Sequence, residues 1–418
     1  LYTAGHLMEA AVAYYEGTGK RKFLDCMCRF ADLICDTFGM EEGKIHGYPG
    51  HEEVEIGLIK LARVTDNLKY LKQAKYFIDA RGVGENYFMK EMSRPDYKLI
   101  FPEFVDYTPE YSQSHLPVRE QTTAEGHAVR ALYNTVLAGI ALDGKSFFYV
   151  NPLEVWPPAC MEGTSKKHVK PICQKWFGVA CCPPNIARTL ASLGQYVYAQ
   201  KPEKKELYVN LFVSNETELD WNEDKISVKL QTEFPWVNTY SLEVKNVPAG
   251  GMNLMLRVPD YAQDYQVKAD GKLYEENKET KKGYHRVHIE KDTKIEVSFA
   301  APAKFVYANP QVRADSGKAA IVRGPLVYCL EEIDNSQNLP AIFVDTDAPL
   351  REEKSDLFGG IVTVKAKGKK IVESSVSDIL YSGQKPQLED VELTAIPYPY
   401  WNNRGEGEML VWMKELRP

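Results

Sequence analysis

The chain is 418 residues long with 44% hydrophobic and 26% charged residues, which excludes disorder and collagen-like repeats and predicts two or three globular domains. Lys and Arg number 51 against 58 Asp and Glu, a net charge of −7 without a long basic run, which argues against a nucleic-acid partner. No stretch approaches the roughly 18 uninterrupted apolar residues of a membrane span, so no membrane partner is expected.

The opening, Leu1-Tyr2-Thr3, has neither Met nor a signal peptide and reads as a start in mid-domain. That leaves the compartment open between bacterial cytoplasm and periplasm. The first two hundred residues read as helices. After Gly19, Phe23, Met27, Phe30, Ile34 and Phe38 recur at steps of three and four, with Gly39 where a C-cap belongs. A second run, Leu58, Leu61, Tyr70, Ala74, Phe77 and Ile78, closes at Gly82. Thr18, Phe23, Leu24 and Phe30 recur 47 residues later as Thr65, Tyr70, Leu71 and Phe77, a period of helical hairpins stacked as a solenoid or closed as an α/α barrel. From about Glu85 to Leu116, Pro95, Pro102 and Pro109 predict a long loop. Helical pattern returns over Pro117–Leu142 and again over Asn185–Ala199.

Near Leu207 the apolar period changes to two. The runs 207–213, 226–230, 240–244, 254–258 and 295–299, separated by turn residues, argue an antiparallel sandwich. Weaker strands such as Ile361–Val364 follow. The expected division is a helical domain over 1–204, a β-sandwich over 205–333, and a second sandwich or an extension of the first over 334–418.

Eight cysteines are too few for a disulfide scaffold. Cys26, Cys28, Cys35, Cys160, Cys173 and Cys329 are expected as small packing residues. Cys181 and Cys182 are adjacent and precede a predicted helix. A bond between them would strain the backbone, while the helix N-terminus lowers thiol pKa, so they could be nucleophiles, soft metal ligands or packing residues. His6, His51, His115 and His127 fall in the helical half near carboxylates, which suggests a polar pocket. His285 and His288 are expected on a strand at the surface. Phosphate loops, dinucleotide fingerprints, zincin helices and nucleophile elbows are missing from the sequence.

The run Trp176-Phe177-Gly178-Val179-Ala180-Cys181-Cys182-Pro183-Pro184-Asn185-Ile186-Ala187-Arg188 resembles the signature of glycoside hydrolase family 127, the β-L-arabinofuranosidases. Segments 4–7, 47–53, 115–121, 126–130, 132–134, 148–153, 396–398 and 401–405 resemble it too. The resemblance implies an (α/α)6 barrel followed by β-sandwich modules, although only about six of the twelve helices are counted here. It implies a retaining hydrolysis with a zinc-bound cysteine thiolate as nucleophile. Residue by residue, it makes Cys181 the nucleophile, Cys181 and Cys182 zinc ligands, and His6, His51, His127 and Tyr149 contacts of the sugar pocket. The substrate implied is an arabinose-containing oligosaccharide, and a homodimer is one assembly the reading allows. The family's other two zinc ligands, on a Glu-Thr-Cys stretch, and its acid/base glutamate lie between the counterparts of Gly126–Arg130 and Leu132–Asn134. Here those segments are nearly contiguous and no Glu-x-Cys occurs, so the zinc site is incomplete in this sequence. The alternatives are an α/α-barrel enzyme acting on another furanoside or a uronic acid, and a non-catalytic truncated sugar-binding homologue.

Overall fold

The computed structural model describes residues 1–98, 107–121, 141–148, 151–164, 167, 169–177, 190–275, 282–372 and 380–416. The chain divides into two units, Leu1–Leu132 and Tyr133–Pro418.

In the first unit, α1 (Tyr2–Thr18) and α2 (Lys22–Thr37) form one hairpin, and α3 (Glu53–Thr65) and α4 (Leu68–Ala80) form another. Thr18 and Thr65 end the first helix of each, and their hydroxyls donate to the carbonyls of Tyr14 and Leu61, again 47 apart. The second helices keep a different register. Leu24, Met27 and Ala31 are buried on α2, and Tyr70, Gln73 and Phe77 on α4, a spacing of 46. The reason is the connection, three residues after Thr18 and two after Thr65, so Phe30 is exposed where Phe77 is buried. α2 ends at an extended Phe38 rather than at Gly39. Gly82 does close α4's turn at φ 73, where a Cβ would lie 2.0 Å from the Leu116 carbonyl oxygen. The expected loop carries a short helix, α5 (Tyr87–Met92), capped by Asn86, whose side chain accepts from the amides of Phe88 and Met89. No described helix is long and apolar enough to cross a membrane.

In the second unit the expected helix over Asn185–Ala199 gives way to a strand at Tyr198. A four-stranded sheet (198–201, 206–209, 252–257 and 284–289) and a six-stranded sheet (215–221, 224–232, 239–245, 263–269, 272–273 and 293–300) enclose one apolar core. Leu207, Leu254, Val287, Ile226, Leu242 and Ile295 are fully buried within it. His285 alternates inward with Val287 and Ile289, packs near Tyr265 and Tyr274, and is buried, contrary to the surface expectation. Burial pushes its pKa down. His288, three residues on, faces out.

Strand membership changes between Ala300 and Ala303, about thirty residues before the expected division. Nine strands from 303–307 onward and the short strand 154–155 build a ten-stranded sheet, and the added pairing of 318–323 with 326–331 closes six of them into a ring. Ile321, Tyr328, Leu330, Ile342, Val344, Val364 and Leu393 form the core on one face. The region 334–418, expected as a second sandwich or an extension of the first, contributes strands to this closed sheet.

The stretch 141–177 departs most from the expected helical domain. Glu154–Val155 pairs with Met409–Leu410 at the edge of the ten-stranded sheet. Phe148 stacks on Trp401 at 4.2 Å between centroids, and the Tyr398 hydroxyl donates to the Pro152 carbonyl at 2.6 Å. Asn402 donates to the Pro171 carbonyl and accepts from the Cys173 amide, while Asn403 accepts from Leu142. Arg404 pairs with Glu331 and Asp334 beneath the turn. The segment Trp401-Asn402-Asn403-Arg404 is thus a clamp for residues 142–173. Trp401 is 2% exposed. Trp401→Ala is expected to lower unfolding free energy by about 3–5 kcal/mol, read by urea titration followed by circular dichroism.

Candidate functional site

α1 and α3 cross where both carry glycine. A Cβ at Gly5 would lie 2.5 Å from the carbonyl of Glu53, and one at Gly57 would lie 2.9 Å from the Gly5 carbonyl oxygen. Backbone contact this close requires glycine. It brings His6, the next residue on α1, against the first turn of α3. His6 Nδ1 lies 3.2 Å from Glu53 Oε1, with the Glu53 side chain 2% exposed and that of His6 32%. The position at the start of α3 suits a carboxylate, because the helix dipole is positive there.

One turn along α1, Glu9 pairs with Lys60 of α3 at 2.5 Å. The donor atoms of His6, Glu9 and Glu53 lie within 4.8 Å of one another, close enough to hold a metal ion. The Lys60 ammonium already supplies positive charge to Glu9. Two carboxylates and an imidazole are also not the thiolate set that the resemblance implies for zinc. Among the described residues no group containing a cysteine comes within coordinating reach.

His51 stands two residues before Glu53, at a cleft of about 360 Å³ lined by Phe38, Tyr48, Tyr87, Phe88 and Glu91. Phe88 packs edge-on against Tyr48 within this lining and against Tyr107, at 5.5 and 5.7 Å between centroids. The loop carrying His51 is held from beneath by Arg81, which is fully buried. Arg81 donates to the carbonyls of Pro49 and Ser112, both at 2.7 Å. Its guanidinium also lies 3.4 Å from Glu52 and from Glu55, and over the Tyr48 ring. Burial pushes the Glu55 carboxyl up to about 7 despite the opposing pull of Arg81.

Residues 1–132 and 130–195 match the family described as "β-L-arabinofuranosidase, GH127 catalytic domain". Residues 206–302 match the GH127 middle domain and 303–414 the family's C-terminal domain. A GH127 β-L-arabinofuranosidase from Geobacillus stearothermophilus T6 is 37% identical, with 99% of this chain and 80% of that one covered at a TM-score of 0.80. The chain belongs to glycoside hydrolase family 127. A second solved GH127 β-arabinofuranosidase is 29% identical at a TM-score of 0.72, over 99% of this chain and 76% of that one. The non-reducing end β-L-arabinofuranosidase of Bifidobacterium longum is 29% identical over 520 aligned positions, which take in 99% of this chain and 78% of that protein.

In this family 127 glycoside hydrolase, His6 lies 3.2 Å from Glu53 at the start of α3, and His51 precedes that helix and lines the separate cleft of Phe38, Tyr48 and Phe88. His127, Tyr149, Cys181 and Cys182 lie outside the described residues, as does the junction at Arg130 and Ala131. His115 is half-buried beside the Ser112–Ser114 turn. The six described cysteines are free, and Cys35, Cys160 and Cys329 are buried as expected. Cys26 is exposed instead, because it sits on the outer face of α2. Burial raises the thiol pKa of Cys35 and Cys173 to about 11, so both stay protonated at neutral pH. Sequence reading did not assign a role to Glu53, Glu9 or Arg81. The signal for Glu53 was present in His51-Glu52-Glu53 and for Glu9 in its one-turn spacing from His6. Nothing local marks Arg81, whose partners lie 26–32 residues away.

Proposed function

We propose that this chain hydrolyses β-linked L-arabinofuranosides with retention, using the Cys181 thiolate as nucleophile. The observation that carries the reading is the match of catalytic, middle and C-terminal family domains across almost the whole chain, with Cys181-Cys182-Pro183-Pro184-Asn185 inside the catalytic stretch 130–195. The thiolate attacks the anomeric carbon, so that a C–S bond forms as the glycosidic C–O bond breaks and the leaving oxygen is protonated. Water then displaces sulfur, and the two inversions give retention. His6, His51, His127 and Tyr149 bind the sugar hydroxyls, and the helical hairpins belong to an (α/α)6 barrel. Cys181 and Cys182 would supply two of the four ligands of a tetrahedral zinc, which would hold the Cys181 sulfur deprotonated.

A second reading, a sugar-binding homologue without turnover, is favoured by one observation. The alignment with the Bifidobacterium protein spans 520 positions against 418 residues here, so roughly a hundred of its positions have no counterpart in this chain. The catalytic match is also broken into two stretches that meet at residues 130–132. Incubation with 4-nitrophenyl β-L-arabinofuranoside, followed by proton NMR of the first-formed anomer, separates the two. Hydrolysis with a β-configured first product is the expected result, accompanied by about one zinc per chain on metal analysis, whereas the second reading expects little zinc. Binding of methyl β-L-arabinofuranoside without hydrolysis would establish the second reading instead.

A further inference from the structure

We propose that Tyr398 and Trp401, in the family's C-terminal domain, are positioning residues for Tyr149 in the catalytic stretch. The inference rests on the reading of Tyr149 as a sugar contact. It makes the C-terminal sheet a builder of the sugar pocket, rather than a module attached to it.

The two partners grip the chain on either side of Tyr149. Phe148, the residue before it, stacks on Trp401 at 4.2 Å between centroids, with 12° between the ring planes. Three residues after it, the Pro152 carbonyl accepts from the Tyr398 hydroxyl at 2.6 Å. Phe148, Tyr398 and Trp401 are all buried, so water does not compete for either contact. Beyond Pro152 the Val411 amide donates to the Leu153 carbonyl at 2.9 Å, and Glu154–Val155 pairs with Met409–Leu410. On the other side, Phe147 exchanges two backbone hydrogen bonds of 2.9 Å with Gln174, whose neighbour Cys173 donates its amide to Asn402 Oδ1 at 3.0 Å.

Among the described residues of 147–153 the only regular pairing is that single bridge to Gln174. Neither a helix nor a ladder of its own fixes this segment, so its place comes from the side chains of 398–402. A peptide link spans about 3.8 Å between Cα atoms, so a shift of Phe148 passes to Tyr149 undiminished. A binding side chain keeps its geometry only when the residues beneath it are locked by packing and hydrogen bonds. Here the locking residues lie about 250 positions along the chain, in a different family domain from the side chain they support.

The test separates positioning from stability. Tyr398→Phe keeps the ring and removes only the hydroxyl that donates to Pro152. Tyr328→Phe is its matched control: that buried hydroxyl donates to the Val362 carbonyl at 2.9 Å, in the core of Ile321 and Leu393 and not in that of Phe148 and Trp401. Affinity of the full chain for methyl β-L-arabinofuranoside is measured by calorimetric titration. Tyr398→Phe and Trp401→Phe should each lower it about tenfold, the scale of one hydrogen bond to the sugar, with Tyr328→Phe unchanged. In a Tyr149→Ala background, Tyr398→Phe should have no further effect, because it acts through the side chain already removed. Equal losses in Tyr398→Phe and Tyr328→Phe would show that affinity merely follows stability, and additive losses in the double variant would show that Tyr398 acts elsewhere. Either result overturns the inference. Loss in Tyr149→Ala with full affinity in Tyr398→Phe and Trp401→Phe sinks the positioning role and leaves the sugar contact standing. If Tyr149→Ala binds as tightly as the wild type, or the wild type does not bind, the sugar contact itself fails and takes the inference with it.

Discussion

Cys181→Ser is expected to lower turnover of a β-L-arabinofuranoside by roughly 10³-fold or more while leaving the thermal unfolding midpoint unchanged. A hydroxyl has far less anionic character than a thiol at neutral pH, and the sequence predicts a helix after position 181, whose dipole would stabilise a thiolate but could not ionise an alcohol. Serine is close in size to cysteine, so packing should tolerate the change. Cys182→Ser provides the comparison, because it alters the same pair without removing the attacking sulfur. Equal loss in both variants would point to a shared role for the two sulfurs instead of a single nucleophile. Wild-type turnover in Cys181→Ser would rule out the nucleophilic role.

The strands after Leu207 were legible because they rest on period, and period is local. The strands around Ile226, Tyr240, Leu254 and Ile295 lie where their alternation places them. The helical repeat was legible at Thr18 and Thr65, but its register slipped on α4 because a connection one residue shorter rotates the whole buried face. The stretch 141–177 escaped for the opposite reason. Its order comes from Trp401, Asn402 and Asn403, more than two hundred residues away, through single hydrogen bonds and one stacked ring. Ring closure of the last sheet likewise depends on pairing between 318–323 and 413–415, which no local pattern encodes. His285 was misplaced because residue type suggested exposure, whereas its parity with Val287 and Ile289 already put it inside. At the candidate site, residue type and spacing picked out His6 and His51. What they could not supply was Arg81 beneath His51, or the Gly5–Gly57 crossing that carries His6 to Glu53.

Arg81→Ala is expected to destabilise the helical unit by about 3–5 kcal/mol at pH 8, the scale for removing one partner of a buried ion pair. Two carbonyls, those of Pro49 and Ser112, lose their donors, and Glu55 is left as a buried carboxylate without its counter-ion. The pH dependence identifies which loss dominates. The Glu55 carboxyl titrates near 7 in the folded chain against an ordinary value of 4.5, so the folded state binds its proton more tightly. Its contribution to stability is therefore complete below about pH 4.5 and is lost as pH rises through about 7, on the order of 3 kcal/mol in all. At pH 5 Glu55 is protonated with or without Arg81, and the attraction between them vanishes from the comparison. The penalty of Arg81→Ala should then shrink to about 2 kcal/mol, the part belonging to the two carbonyls and to the more exposed Glu52. Urea titrations at pH 5 and pH 8 on both proteins measure this difference. An equal penalty at the two pH values would mean that Glu55 does not change charge in this window, and that Arg81 holds the His51 loop through the carbonyls alone.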